Sequence, residues 1–398
     1  MAISYNKLWK LLIDKNMKKK ICILTTTRAE YGLLHPLIQA LKEISELDVK
    51  VAVTGAHLLK EAGETCREIE QDGIVIDKKI DILPCSDHAS GISKSMGLAM
   101  IGFADYFDES KPDMLVVLGD RYETFAVCAV ATNAGIPIAH IHGGEATEGA
   151  LDEAFRHAIT KMSYLHFTST QEYRRRVIQL GEHPERVFCY GAIGVENALK
   201  EQTLTRAELA KELDFNVLDD YAVVTYHPVT LGKTSPRQDI VELLAALDQN
   251  WQLQYIITKA NTDAGGHEIN RYLDQYASEH DNVKVVASLG SRKYYSALKY
   301  AGMVIGNSSS GIIEAPSFHI PTVNIGDRQK GRIQAESVVN CNVNRESIIA
   351  AINQAGKMDC STVTNPYGSG NTIAPMVQKI KEVALSSDID LQKSFYDI

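Results

Sequence analysis

Short runs rich in Val, Ile and Leu alternate along this chain with longer stretches whose apolar residues recur at helical spacing. The first series of runs is KICILTT (20–26), DVKVAVTG (48–55), MLVVLGD (114–120), PIAHIHG (137–143), YLHFTST (164–170) and VFCYG (187–191). Amphipathic patterns between them predict helices over 31–46, 57–71, 91–109 and 122–134. Near-continuous apolar strands separated by helices describe a parallel sheet covered on both faces. A second series repeats the arrangement with YAVVTYH (221–227), LQYIITKA (253–260), VKVVAS (283–288), AGMVIGNS (301–308) and PTVNIG (321–326), separated by helices over 236–249, 265–280, 291–300 and 310–318. The chain therefore reads as α/β, with two consecutive doubly wound, Rossmann-like units. Their boundary falls near GAIGVENALKEQTLTR (191–206), where a loop runs into a polar helix. No low-complexity linker is present, so the halves should sit close together. A last helical stretch, 372–385, follows TNPYGSGN and is placed to cross back onto the first unit. The expected organisation is an N-terminal extension (1–17), a first domain (18–195), a second domain (196–371) and a C-terminal helical segment (372–398).

At 398 residues and 45% hydrophobic, the chain can bury two such cores. The net charge is −9, and there is no long Lys/Arg block beyond Lys18–Lys20. That balance argues against a nucleic-acid or membrane-surface partner. An acidic chain that binds an anion must gather its cations at one place. No apolar run approaches the ~20 residues that span a bilayer. The seven cysteines are odd in number and form no C-x-x-C, as expected of free thiols in a reducing cytoplasm. Residues 1–20 carry Lys and Asp inside their apolar part and no small-residue cleavage site, so they read as an appended helix rather than a signal peptide.

Ligands of open α/β sheets gather at the carboxyl ends of the strands. Unusual polar residues collect there. TTTRAEYG after the first run offers Arg28 for an anion, or simply a helix cap with Thr27 and Glu30. It lacks G-x-G-x-x-G, which argues against NAD. GDRYE places Asp120 at a strand end, as an acid/base candidate or a plain turn, with Arg121 beside it. HIHGGEATEGALDEAFRH holds His140 and His142, which alternate along a strand and so share one face. That spacing can bind zinc, but no third ligand completes a set. Gly143 and Gly144 would let backbone approach a ligand. Asp152 and Arg156, at i and i+4, form either a surface ion pair or part of a site. His227 ends the first strand of the second unit, and Pro228 holds the chain extended after it. GNSSSGIIE offers free N–H groups and hydroxyls for an anion, without the G-K-[ST] of an ATPase loop. Glu314, one turn later, could accept hydrogen bonds from ribose hydroxyls. NIGDRQKGR (324–332) then delivers Arg328, Lys330 and Arg332, the local cations that a diphosphate needs.

In this order and spacing, TTTRAEYG, GDRYE, HIHGGE, DEAFRHAITK, YHPVT, NSSSGIIEA and NIGDRQKGR resemble the hydrolysing UDP-N-acetylglucosamine 2-epimerases of sialic-acid and legionaminic-acid biosynthesis, over nearly all of residues 18–385. The resemblance implies a GT-B-like fold with two Rossmann-like domains facing across a cleft, 196–371 being the UDP-binding one. It implies no cofactor, no metal, and a homodimer or homotetramer. The implied reaction is UDP-GlcNAc plus water to ManNAc and UDP, through a 2-acetamidoglucal. A sister group acts on UDP-2,4-diacetamido-2,4,6-trideoxyglucose, and these motifs do not separate the two. A non-hydrolysing epimerase, a GT-B glycosyltransferase and a non-catalytic UDP-sugar sensor are the rival readings. By the same resemblance, Arg28, Glu30, Asn261, Asn307, Ser308, Ser309, Ser310, Gly311, Glu314 and Arg328 hold the UDP-sugar. Asp120, His142, Glu145, Asp152, Arg121 and His227 serve catalysis. Some members carry glutamate where His142 stands, so either His142 or Glu145 takes that glutamate's role.

Overall fold

The computed structural model describes residues 18–398 except 61–62, 83–88, 149–150, 218–219, 230–233, 261–264 and 388. The 1–17 extension and Asn261 lie outside the described residues. The first unit is a seven-stranded parallel sheet of β1 (Lys19–Thr25), β2 (Leu47–Thr54), β3 (Ile76–Ile80), β4 (Met114–Leu118), β5 (Ile138–Ile141), β6 (Leu165–Thr168) and β7 (Val187–Cys189), in the order 3-2-1-4-5-6-7. The second is a six-stranded parallel sheet of β8 (Tyr221–Thr225), β9 (Gln254–Thr258), β10 (Val283–Val286), β11 (Met303–Gly306), β12 (Thr322–Ile325) and β13 (Val338–Cys341), in the order 10-9-8-11-12-13. Each order reverses beside the unit's first strand, so β1/β4 and β8/β11 open crevices at their carboxyl ends. The two doubly wound units read from the hydrophobic pattern are both present.

Two strands escaped the pattern, and both are sheet edges. In β3, IDKKI, only Ile80 is buried, and in β13, VVNC, only Val339 is. An edge strand has one neighbour and half its side chains in water, so the continuous apolar signature is lost. Two expected helices are also broken. Residues 57–71 contain a single turn at Gly55–Leu58 and a helix at Cys66–Gln71. Residues 310–318 begin as a one-turn helix, Ser310–Ile313, and tighten to a 3-10 turn at Ala315–Phe318. Pro316 has no N–H with which to continue the α-helical ladder.

Helix Ile373–Leu385 buries Ile373, Met376, Ile380 and Ala384 in the same core as β1 and helix Arg28–Lys42. Its start is held by buried Glu196, whose Oε2 accepts from Thr372 N at 2.5 Å and Ile373 N at 2.6 Å. A carboxylate there satisfies orphan donors and suits the positive helix end. Between the units, Tyr173, Ala192, Val195, Ile312, Ile313 and Tyr367 form a small apolar core of their own.

The second crevice depends on one close approach. Gly306 has φ +135°, and a Cβ there would overlap the Thr225 carbonyl on β8. Gly306→Ala should therefore lower stability by about 1–3 kcal/mol from backbone strain alone, before the steric overlap. Thermal melting of the variant beside the parent measures it.

Candidate active site

The loop after β5 and the turn after β4 build the first wall. β4 ends at Leu118, and Gly119, at φ +82°, turns the chain so that Asp120 emerges at the crevice, its side chain 23% exposed. The turn is held from below by His140. Its Nε2 lies 2.8 Å from the Gly119 carbonyl, and its Nδ1 3.3 Å from the Thr160 hydroxyl. A carbonyl can only accept, so Nε2 carries the proton and Nδ1 accepts. Burial lowers the His140 pKa to about 3, so the ring is neutral and structural.

His140 and His142 do not share a face. The strand ends at Ile141, and His142 sits beyond it in the left-handed region, at φ +67°. That conformation turns its ring away from the direction strand alternation would give. His140 points to the helices and His142 to the site. Gly143 and Gly144 both make close approaches to protein. A Cβ on Gly143 would crowd His140 and Thr160, and one on Gly144, at φ +76°, would crowd the Tyr173 carbonyl. They let the loop pack closely against protein.

His142 Nδ1 lies 3.6 Å from Glu145 Oε1, while its Nε2 is buried without a hydrogen-bond partner. Burial holds the ring below its ordinary pKa; Glu145 works against that lowering, and Arg332 and Arg156 add to it. A carboxylate facing Nδ1 favours the proton there and leaves the Nε2 lone pair open. Glu145 is itself occupied. Ser169 Oγ donates to Oε1 at 2.9 Å, and Arg332 Nη1, from the loop after β12, makes an ion pair with Oε2 at 2.7 Å. Burial would raise this carboxyl, but Arg332, His142, Arg156 and Ser169 together hold it below the usual range.

Arg156, on helix Asp152–Met162, is buried rather than a surface group. It forms an ion pair with Asp120, a second with Glu153 at 3.1 Å, and a hydrogen bond to Thr147 Oγ1 at 3.1 Å. Asp152 is half-buried at the first position of that helix. Arg121 grips buried Glu123 through two nitrogens, each at 3.1 Å. Glu30 accepts from Thr26 N at 2.7 Å and Thr26 Oγ1 at 2.8 Å, and burial raises its pKa to about 7. Thr27 caps the helix as expected, at 3.3 Å from Glu30 N.

The second wall comes from β8, β11 and β12. Asn307 is fully buried and clamps His227 through two bonds, His227 N to its Oδ1 at 2.7 Å and its Nδ2 to His227 O at 2.8 Å. Its carbonyl accepts from Arg328 Nη1 at 3.2 Å and Gln329 Nε2 at 2.9 Å. Burial, then Arg328, lower the His227 pKa to about 3. Ser308 to Gly311 form the turn into the short helix, with Tyr294 donating to Ser310 Oγ at 2.8 Å. Glu314 is buried against Gly194 of the first unit, with Oε2 unpartnered. Burial raises its pKa despite Ser310 and Arg332. Arg28, paired with Glu68 at 3.1 Å, reaches across so that its Nη2 lies 3.5 Å from the Cβ position of Gly290.

The structure thus brings Asp120, His142 and Glu145 together on one wall, and Asn307, His227, Arg328 and the serine turn on the other. Ser169 and the Tyr173–Tyr367 pair (hydroxyls 3.1 Å apart, with Ile333 N donating to Tyr173 at 3.0 Å) carried no motif signal, and Glu153, inside DEAFRHAITK, was not singled out. Among the described residues no group of three or more His, Cys, Asp or Glu is arranged to hold a metal ion. The His140 ring gives a test of these placements. Its folded pKa is depressed, so its neutral form supports the fold fully above about 6.5 and loses ground as pH falls toward 3. His140→Gln keeps a donor for Gly119 and removes the titration, so its stability should fall less steeply across that window in denaturant titrations.

Residues 39–381 match the family model described as UDP-N-acetylglucosamine 2-epimerase. The chain is 42% identical over 328 residues to a GDP/UDP-N,N'-diacetylbacillosamine 2-epimerase (hydrolyzing) of Campylobacter jejuni, covering 82% of this chain and 85% of that one. It is 41% identical over 387 residues to polysialic acid biosynthesis protein P7 of Escherichia coli, covering 96% and 98%. The structure of a Methanocaldococcus jannaschii UDP-GlcNAc 2-epimerase in complex with UDP-GlcNAc and UDP superposes with a TM-score of 0.76 at 19% identity, over 91% of this chain and 99% of that one, a likeness of fold. The two facing units are therefore GT-B-like, and this chain belongs to the UDP-N-acetylglucosamine 2-epimerase family.

Proposed function

We propose that this protein is a hydrolysing UDP-sugar 2-epimerase that converts UDP-GlcNAc and water to ManNAc and UDP. The observation that carries the reading is the His142 ring, whose buried Nε2 has no partner. It lies within the field of Asp120 and Glu145 and of the second-unit Arg332. Inverting C2 without redox chemistry needs a base for the C2 proton and stabilisation of a departing diphosphate. The C2–H pair forms the C1–C2 double bond as the C1–O bond breaks, and its electrons leave with UDP. Water then adds its oxygen to C1, and a proton reaches C2 from the opposite face.

Neutral His142, with Glu145 behind Nδ1, suits one proton transfer, and Asp120, held by Arg156, suits another. Both Glu145 oxygens are engaged, which favours His142 over Glu145 for direct contact with the sugar. Arg28, Arg328, His227 and the 308–311 turn would hold the diphosphate, and Glu314 the ribose. The second reading, action on UDP-2,4-diacetamido-2,4,6-trideoxyglucose, rests on the 42% identity to the Campylobacter jejuni hydrolyzing enzyme. A homodimer or homotetramer in the cytoplasm accords with both readings.

Both substrates, supplied side by side in deuterated water and followed by NMR, test this directly. Free sugar labelled at C2, together with UDP, is expected; UDP-linked epimer would refute hydrolysis. Asp120→Asn should abolish turnover while UDP still binds, and full activity in that variant would remove Asp120 from the chemistry. His142→Gln should lower kcat by about 10²–10⁴-fold. The acid limb of the parent profile should lie below pH 6.5, because the His142 pKa is depressed, and should vanish in the variant.

A further inference from the structure

Helices Asp152–Met162 and Gln171–Gln179 both aim their N-terminal ends at the site. The first carries Arg156, which grips Asp120. The second follows Ser169, which donates to Glu145, and carries Tyr173 and Arg176, whose Nη1 donates to the Gly144 carbonyl at 2.6 Å. Their far ends meet the segment 389–398, which no motif and no catalytic assignment uses.

That segment is fastened at three points. Lys393 Nζ donates to Ser163 O at 2.6 Å, Lys161 O at 2.9 Å and Glu182 Oε2 at 2.7 Å. These are the three bonds an ammonium can make, and two go to carbonyls at the end of the first helix, where a cation is favoured. Phe395 packs on Gly181, leaving no room for a side chain there, and Lys161 Nζ lies 5.1 Å from its ring centroid. Tyr396 N donates to Gly181 O at 3.0 Å, just past the end of the second helix, and its ring meets His183 edge-on at 5.3 Å. Glu182, buried beneath, joins the fastening to the sheet. Its oxygens also take Lys161 at 2.7 Å and His166 of β6 at 3.0 Å.

We propose that residues 389–398 are a strap that sets the two helices carrying Arg156 and Tyr173, and that Lys393 is a positioning residue for proton transfer at Asp120 and His142. A helix is a stiff lever, about 16 Å long for eleven residues, so a shift at one end appears at the other. The strap lies on the first wall alone. The diphosphate contacts proposed for the second wall do not depend on it. The inference rests on the proposed reaction for its catalytic consequence, but not for its mechanics.

The test uses the full chain with Lys393→Met, Lys393→Arg and Phe395→Ser. Glu182 keeps Lys161 and His166 in all three, which favours folding. Lys393→Met should lower kcat by about tenfold while KM stays within about twofold, since a small misplacement of acid/base groups costs rate rather than binding. Amide exchange should rise through both helices as far as residues 153–156 and 171–174. Lys393→Arg should recover most of the lost rate, and Phe395→Ser should show a smaller fall of the same kind. Faster exchange with unchanged kcat would overturn the positioning role, and unchanged exchange in both Lys393→Met and Phe395→Ser would overturn the strap. The exchange measurement needs no substrate. If the parent releases no UDP from either sugar, the reaction fails while the strap is still decided.

Discussion

The ion pair between Glu145 and Arg332 joins the two halves of the molecule, and the site takes its shape around it. Glu145 belongs to the loop after β5 of the first sheet, and Arg332 to the loop after β12 of the second. Their side chains are only 3% and 10% exposed. A carboxylate so far from water has to be compensated by groups fixed in place. Arg332, the Ser169 hydroxyl and the His142 ring supply that from three separate segments. Taking away one partner of such a pair typically costs about 3–5 kcal/mol, because the other charge is left stranded. Around it, Glu148 N bonds to Lys330 O at 3.1 Å, and Gly331 fits against Ala146 where a side chain would crowd. The loop that carries His142 is thus held in register with the loop that carries Arg328.

The histidines divide their labour by environment rather than by type. Burial lowers the His140 and His227 pKa values to about 3, and neither needs a charge to do its work. His140 carries the Gly119 turn, and the His227 backbone is clamped by Asn307. His142 is also depressed by burial, yet it alone among these three keeps a buried ring nitrogen without a partner. What marks it is a single φ angle. At +67° it leaves the strand, and its ring meets Glu145.

Much of the architecture was legible in the hydrophobic pattern. Interior parallel strands such as MLVVL and YAVVT are buried on both faces, so their composition announces them. The edge strands IDKKI and VVNC did not announce themselves, because one neighbour and a wet face leave a mixed composition. Pro316 could have been read as the end of the helix after Ser310. Within the site, strand-end Asp120, His227 and the 307–311 turn were legible because carboxyl ends of parallel strands face the crevice. Arg156 was visible in the motif, but its i, i+4 spacing suggested Asp152 as its partner. The fold gave it Asp120 and Glu153 instead. Ser169, Tyr173 and Tyr367 have no local signature, since each is defined by what it meets far away in the chain.

The sequence by itself determined two doubly wound parallel units, the strand ends where polar residues collect, and a set of motifs specific enough to place the family. Those properties depend on local composition and on the order of elements. Only the tertiary structure decided that Glu145 is engaged by a second-half arginine, that His142 turns away from His140, that the paired glycines serve packing, and that residues 389–398 fasten two helices from behind. Each of these depends on groups distant in sequence meeting within about 3 Å, and on backbone angles that the pattern of apolar and polar positions does not encode.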